Sequence, residues 1–267
     1  MTRAALDRPL ALVTGGCRRL GAAIAAALAT EGYDLAIHGG SDSAPEADLL
    51  AAIARAGVAF THFPADLADA EAVTGLIPAV IARFGRPPDL LVNNAARFDY
   101  DSPGDVTQAG LLDHYTVNTV APILLARAMA EQAGAERAGA DRPVAIVNIL
   151  DQRIAAPNGD QLSYTLSKLA LSEATTILAR HFAPHVRICA VAPGLTLPSP
   201  DYDGARWAAA ARHMPLARLA TPGEVADAVL FLARSSSVTG QVLFVDAGAH
   251  LRQYPRDFPF LDETGEP

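Results

Sequence analysis

Short apolar runs alternate with longer, alanine-rich segments along this chain from residue 9 to about residue 248. The apolar runs predict strands at 9–14, 33–38, 58–64, 89–95, 142–150, 186–193 and 241–248. The segments between them predict helices at 20–32, 44–56, 69–84, 107–133 (interrupted near Pro122), 161–183, 204–213 and 222–234. Strands that alternate with helices of this length form right-handed βαβ units. The pattern therefore predicts an α/β fold with one doubly wound, parallel, seven-stranded sheet and helices on both of its faces.

Length and composition narrow the classes of protein further. The chain has 267 residues, 51% of them hydrophobic, which predicts one domain over residues 1–249 and a tail at 250–267. The net charge of −8 argues against a nucleic-acid partner. The sequence has no apolar run of ~18 residues, and its two cysteines are too few for a disulfide framework or structural zinc site. We therefore expect a cytoplasmic protein with no membrane or nucleic-acid partner and no metal.

A glycine-rich turn joins the first predicted strand to the first predicted helix. There, free backbone N–H groups and the positive end of the helix dipole face the same point, which favours an anion such as a pyrophosphate. Gly15 permits the tight turn, and Gly21 lets the helix approach the sheet closely. The predicted cofactor contacts in this turn are Gly15, Arg18, Arg19, Leu20 and Gly21.

The end of the second strand indicates which dinucleotide binds. A unit that binds NAD usually ends this strand in Asp or Glu, which contacts the ribose 2′-hydroxyl. Here His38 and Gly39 end the strand, Ser41 follows, and the first acid is Asp42. With Arg18 and Arg19 nearby, this pattern favours a 2′-phosphate and hence NADPH. After the third strand, Asp66 and Leu67 are candidates for the adenine side, although Asp66 fits a helix N-cap equally well.

The single lysine of the chain lies four residues after a tyrosine on a predicted helix. Of the 21 basic residues, only Lys168 is not arginine. Residues four apart share one helix face, so Tyr164 and Lys168 are expected to lie side by side. A phenol with a pKa of about 10 transfers protons poorly at neutral pH, and a nearby ammonium should lower that pKa. The pair therefore indicates acid–base chemistry at Tyr164.

These features, with Asn93-Asn94-Ala95 after the fourth strand, Asn118 within a helix and Pro193-Gly194 after the sixth strand, resemble the short-chain dehydrogenase/reductase family over residues 9–248. The resemblance implies a Rossmann-type fold and a homo-tetramer or dimer. It implies that Tyr164 is the proton donor, Lys168 its tuner and a ribose ligand, and Asn118 the holder of a relay water. It also implies cofactor contacts at Asn93, Ala95, Pro193, Gly194 and Thr196.

Two departures from the family pattern point to one of its branches. Asp151 occupies the position where the family usually has a serine, and Arg19 replaces the third loop glycine. Both departures, and an aromatic residue at Phe98, resemble the pteridine reductase branch. That resemblance implies that Phe98 stacks on a pterin, Asp151 passes a proton and Arg19 reaches the substrate.

The loop at 195–215 is expected to cover the substrate, with Leu197, Tyr202 and Trp207 as candidate walls. The tail is expected to cover either a neighbouring subunit's active site or the outer sheet edge. The leading interpretation is an NADPH-dependent pterin reductase. A reductase of another carbonyl, such as a 3-oxoacyl thioester or a sugar, is the first alternative, and a non-catalytic dinucleotide sensor is the second.

Overall fold

A computed structural model describes residues 8–40, 43–136, 143–198, 207 and 209–261. Its described strands form one parallel, seven-stranded sheet in the order β3-β2-β1-β4-β5-β6-β7. The strands are β1 (Leu10–Val13), β2 (Asp34–Gly39), β3 (Phe60–Pro64), β4 (Leu90–Asn93), β5 (Val144–Ile149), β6 (Val186–Pro193) and β7 (Val242–Val245). The strand order reverses between β1 and β4, and such a switch point is where open α/β sheets bind ligands.

Helices cover both faces of this sheet. They are α1 (Arg19–Thr30), α2 (Ala47–Ala56), α3 (Ala70–Phe84), α4 (Gln108–Tyr115), α5 (Ala121–Glu136), α6 (Leu162–Phe182) and α7 (Pro222–Arg234). Side chains of α1, α2 and α7 pack with Ala11 and Val13 on one face. Side chains of α3, α5 and α6 pack with Leu10 and Leu12 on the other. The alternation along β1 confirms the predicted fold class, in which the sheet is buried on both sides.

The long helix expected at 107–133 is interrupted near Pro122, as predicted. A π-helical turn at Thr116–Val120 separates α4 from α5 and ends two residues before Pro122, which lies in the first turn of α5. Part of the helix expected at 204–213 lies outside the described residues, and its described end is a short 3₁₀ turn at Ala211–His213.

The described part of the tail packs on its own chain, beside the loop between β5 and α6. That the tail covers a neighbouring subunit's active site or the outer sheet edge stays a prediction. The Arg256 Nε donates to both carboxylate oxygens of Asp160, at 3.0 and 2.9 Å, and the Asp257 amide donates to Asp160 Oδ2 at 2.7 Å. The Tyr254 hydroxyl donates to the His213 carbonyl at 2.6 Å. The buried Asp160 carboxylate thus holds Arg256 and Asp257 against their own domain.

No helix among the described residues is long and apolar enough to cross a membrane. In the same part of the chain, no group of three or more His, Cys, Asp or Glu side chains is arranged to hold a metal ion.

Candidate active site

A cleft of about 520 Å³ opens at the carboxyl ends of the strands, at the switch point between β1 and β4. Most of the predicted contact residues line it together. They are Gly15, Arg18, Arg19, Leu20, Gly21, His38, Gly39, Asp66, Leu67, Ala95, Asp151, Tyr164, Lys168, Pro193, Gly194, Thr196 and Leu197. The cleft therefore joins the glycine turn, the tyrosine–lysine pair and the segment after β6 into one site.

The glycine turn fits a dinucleotide because it is tightly closed. Gly15 has φ +60°, and a Cβ there would lie 2.9 Å from the Ala95 Cα. A Cβ on Gly21 would overlap the Gly15 carbonyl oxygen and lie 2.6 Å from the Asn94 side-chain nitrogen. The side-chain amide nitrogen of Asn94 donates to the carbonyls of Thr14 and Gly15, at 3.0 and 3.1 Å. Asn94, which the sequence argument did not single out, thus holds the turn in place.

His38 positions this turn from the neighbouring strand. Its Nδ1 accepts a hydrogen bond from the Gly15 amide at 3.1 Å, so Nε2 carries the proton and donates to the Ala65 carbonyl at 3.1 Å. Burial lowers the pKa of His38, although the bond to Ala65 opposes this. A neutral imidazole therefore links the glycine turn to the segment after β3 and borders the cleft.

At the predicted 2′-phosphate end, Arg18 lines the cleft with Gly39, Gly40 and Ser43. Ser41 lies outside the described residues. Asp66 also lines the cleft, and its Oδ1 accepts from the Ala68 amide at 2.9 Å. The alternative role of Asp66 as a helix N-cap is wrong, because the N-cap of α3 is Asp69, whose side chain accepts from the Glu71 amide.

Arg19 connects the glycine turn to the segment after β6. Its backbone has φ +53°, a conformation that favours glycine and explains why the family has glycine here. Its Nη2 donates to the Pro198 carbonyl at 3.1 Å. Arg19 borders both the cleft and a second, adjoining cavity.

The helix α6 presents Tyr164 and Lys168 to the cleft on one face. The Tyr164 hydroxyl donates to Asp151 Oδ2 at 3.1 Å. The Lys168 Nζ donates to the Ile149 carbonyl at 2.7 Å and lies 5.6 Å from the centroid of the Tyr164 ring. Burial lowers the pKa of Lys168 to about 8, although Asp151 raises it. The three side chains thus form one acid–base cluster, in which Tyr164 and Lys168 are buried and Asp151 is half-buried.

The prediction that Lys168 lowers the pKa of Tyr164 is wrong for this arrangement. Burial raises the pKa of Tyr164 well above 10, and the Asp151 carboxylate, which accepts a hydrogen bond from the phenol, raises it further. Arg153 acts in the opposite direction. Tyr164 is therefore a protonated phenol at neutral pH, as a proton donor must be.

Two predicted asparagines lie outside the cleft lining. The Asn93 side chain lies inside the sheet and donates to Asn148 Oδ1 at 2.8 Å, so it connects β4 to β5. Asn118 is fully buried in the π-helical turn, where it donates to the Arg97 carbonyl and accepts from the Arg97 amide, at 2.9 and 2.7 Å. Asn118 therefore fixes the backbone next to Phe98.

A second cavity of about 160 Å³ adjoins Asp151 and is bordered by Phe98. The Phe98 ring is 45% exposed and meets the Tyr164 ring edge-to-face, with centroids 4.7 Å apart. Of the predicted substrate walls, Leu197 lines both cavities, whereas Trp207 lines neither. Tyr202 lies outside the described residues.

Six further residues border the second cavity and were not individually predicted from the sequence, namely Gln152, Arg153, Gln161, Leu195, Asp257 and Phe258. Arg153 follows Asp151 by two positions, and that closeness was the available signal. Asp257 and Phe258 belong to the tail, more than a hundred positions later in the chain than Asp151. No local sequence pattern indicates that they border this cavity.

Comparison with known proteins agrees with this geometry. The family model described as enoyl-(acyl carrier protein) reductase matches residues 16–250. The chain belongs to the short-chain dehydrogenase/reductase family. Within this family it is 30% identical to pteridine reductase 1 of Leishmania tarentolae, covering 91% of this chain and 96% of that one. It is 31% identical to galactitol 2-dehydrogenase of Agrobacterium fabrum, covering 91% and 98%.

Among solved structures of this family, the chain is similar to FolM alternative dihydrofolate reductase 1 from Brucella canis, complexed with NADP. The TM-score is 0.82 and the identity 35%, over 96% of this chain and 99% of that one. This short-chain dehydrogenase/reductase is therefore similar both to pterin-related enzymes and to a polyol dehydrogenase.

Proposed function

We propose that this chain is an NADPH-dependent reductase that converts a dihydropterin to a tetrahydropterin. The observation that carries the proposal is the hydrogen bond of 3.1 Å from the Tyr164 hydroxyl to Asp151. Reduction of a ring C=N bond adds a hydride to carbon and a proton to nitrogen. A carboxylate bonded to a buried phenol provides two groups for that proton transfer.

The residues of the cleft suit NADPH, which when bound supplies the hydride. The glycine turn would hold its pyrophosphate, and Arg18 and Ser43 would lie toward the 2′-phosphate. Lys168 keeps a compact cation under the Tyr164 ring. Tyr164 donates its proton, and Asp151 positions that hydroxyl. Phe98 offers an aromatic surface to a flat ring.

Two of the similar proteins support the pterin proposal by their names, and the third supports an alternative. Galactitol 2-dehydrogenase acts on a polyol, and the family model is described by an acyl substrate. A reductase of a sugar or 3-oxoacyl thioester is therefore the second candidate. Asp151 weighs against this second candidate. In simple ketone reduction a neutral hydroxyl at this position usually polarises the carbonyl, whereas Asp151 places a negative charge there. The buried tyrosine–lysine pair weighs against a non-catalytic sensor.

The deciding assay follows NADPH oxidation with dihydrobiopterin, with a 3-oxoacyl thioester and a ketose tested in parallel. We expect one tetrahydropterin formed per NADPH consumed, and a kcat/KM for the pterin at least about 100-fold above that of either ketone. Methotrexate, a folate analogue, should inhibit and raise the Tm, because a ligand that binds only the native state stabilises it. Turnover of a ketone without turnover of the pterin would refute the proposal.

The cofactor preference gives a separate prediction. No acidic side chain ends β2, which closes with His38 and Gly39. We expect the Kd of NADPH to be at least about tenfold below that of NADH, a difference of about 1.4 kcal/mol. Arg18→Gln should reduce this preference without changing the Kd of NADH, and fluorescence titration measures both constants. Equal Kd values for the two cofactors in the wild type would contradict the prediction.

We also propose that the chain assembles as a homo-tetramer or dimer. In support of this proposal, α4 and α6 expose several large apolar side chains. Monomeric soluble proteins rarely expose large contiguous apolar patches on their surface. The exposed side chains are Leu111, Leu112, Tyr115, Leu166 and Ile177.

A further inference from the structure

The second cavity contains a buried cation whose hydrogen-bonding capacity is only partly used. Arg153 is 5% exposed, and its Nη2 donates to Asp257 Oδ2 at 2.6 Å. Its Nε and Nη1 are buried and have no hydrogen-bond partner among the described residues. Leaving buried donors unpaired is costly, so such groups call for an explanation.

The position of Arg153 relates these donors to the reacting centre. Its guanidinium carbon lies 5.7 Å from the centroid of the Phe98 ring and 5.9 Å from that of the Tyr164 ring. The guanidinium therefore lies near both the Phe98 ring, which borders the second cavity, and the Tyr164 ring, which borders the cleft. Gln161, at the start of α6, borders the same cavity, and its Oε1 is buried with no partner among the described residues. The cavity thus combines unused donors with an unused acceptor.

The charges around the cavity indicate what kind of ligand fits. Asp257 pairs with the charge of Arg153, and the Asp151 carboxylate lies close enough to stabilise it further. An anion is therefore not needed to balance Arg153. A neutral ligand fits if it offers a hydrogen-bond acceptor to the Arg153 donors and an N–H to the Gln161 Oε1. The lactam edge of a flat heterocycle carries both a carbonyl acceptor and an N–H donor.

We infer that Arg153 binds the acceptor atoms on the lactam edge of a flat, neutral substrate, and that Asp257 of the C-terminal segment positions Arg153. The inference rests on the proposed function, since a dihydropterin carries such an edge. It adds a role for the tail. Asp160 anchors Arg256 and the Asp257 backbone, and this places the Asp257 carboxylate against Arg153.

The test measures binding of dihydrobiopterin to the full-length protein saturated with NADP⁺, which binds without supplying hydride. Arg153→Gln should raise the Kd about 10- to 100-fold, as expected for the loss of charge-assisted hydrogen bonds. Arg153→Lys, which keeps the charge, should give a smaller rise. The Kd of NADPH should stay within about threefold in both variants.

Asp257→Asn tests the positioning role. Alone it should raise the KM for the pterin about 3- to 10-fold with kcat nearly unchanged, whereas in the Arg153→Gln background it should add nothing. Arg252→Gln is the matched control, because Arg252 lies on the same tail segment, donates to the His213 carbonyl and does not border the cavity. It should leave the Kd within about threefold.

The outcomes separate this inference from the proposed function. If the wild type binds the pterin and Arg153→Gln weakens binding, but no variant turns it over, the inference holds and the pterin reductase proposal fails. If the wild type turns over the pterin and both Arg153 variants keep its KM, the inference is overturned and the proposal stands. Failure of the wild type to bind the pterin overturns both.

Discussion

Replacing Tyr164 with phenylalanine is expected to lower kcat by about 10²- to 10⁴-fold, the usual contribution of a general acid. The structure gives the reason. The hydroxyl is the atom that donates to Asp151, and burial keeps it protonated at neutral pH by raising its pKa. Phenylalanine keeps the ring that meets Phe98 edge-to-face, so packing should change little. The Kd of NADPH should therefore stay within about threefold, as fluorescence titration can show.

Tyr100→Phe provides a matched control for the loss of a phenolic hydroxyl near the site. The Tyr100 hydroxyl contacts Asp160 and Arg256 instead of the catalytic cluster. Its kcat should stay within about threefold of the wild type. A Tyr164→Phe enzyme that retains more than about a tenth of the wild-type kcat would remove Tyr164 from the role of proton donor.

The features predictable from the sequence were those that depend on local spacing. The period of the apolar residues gave the strands and helices, because each element buries its own apolar face. The spacing of Tyr164 and Lys168 on α6 predicted their shared face, and the glycine turn predicted the cleft. In each case the interacting groups are close along the chain, so their geometry follows from one element and its cap.

The features that escaped prediction depend on contacts between distant segments. Arg153 meets Asp257 only because the tail returns to the domain through Asp160. The direction of the Tyr164 pKa shift depends on burial and on Asp151, and neither follows from the position of Lys168. Likewise, adjacent Asn93 and Asn94 differ in role, since successive residues at a strand end point in opposite directions. Sequence alone did not indicate which of the two faces the turn.

Replacing Gly21 with alanine is expected to disrupt the glycine turn and, with it, cofactor binding. The added Cβ would overlap the Gly15 carbonyl oxygen and crowd the Asn94 amide that bonds it. The Gly15 carbonyl is held by the turn, and the Asn94 side-chain amide is held by its hydrogen bonds to the carbonyls of Thr14 and Gly15. Neither group can therefore move aside without a cost in free energy. We expect the free energy of unfolding to fall by about 3 kcal/mol, the upper end for overpacking. The Kd of NADPH should rise at least about tenfold.

Gly75→Ala is the matched control for this substitution. Gly75 lies within α3, and a Cβ there would meet no atom within 4 Å among the described residues. Alanine should therefore stabilise the helix by about 0.5–1 kcal/mol, because glycine loses more backbone entropy on folding. Chemical denaturation and NADPH titration measure both variants. A Gly21→Ala protein with wild-type stability and NADPH affinity would show that close contact at this glycine is not what shapes the turn. A loss in both variants would point instead to a general intolerance of alanine.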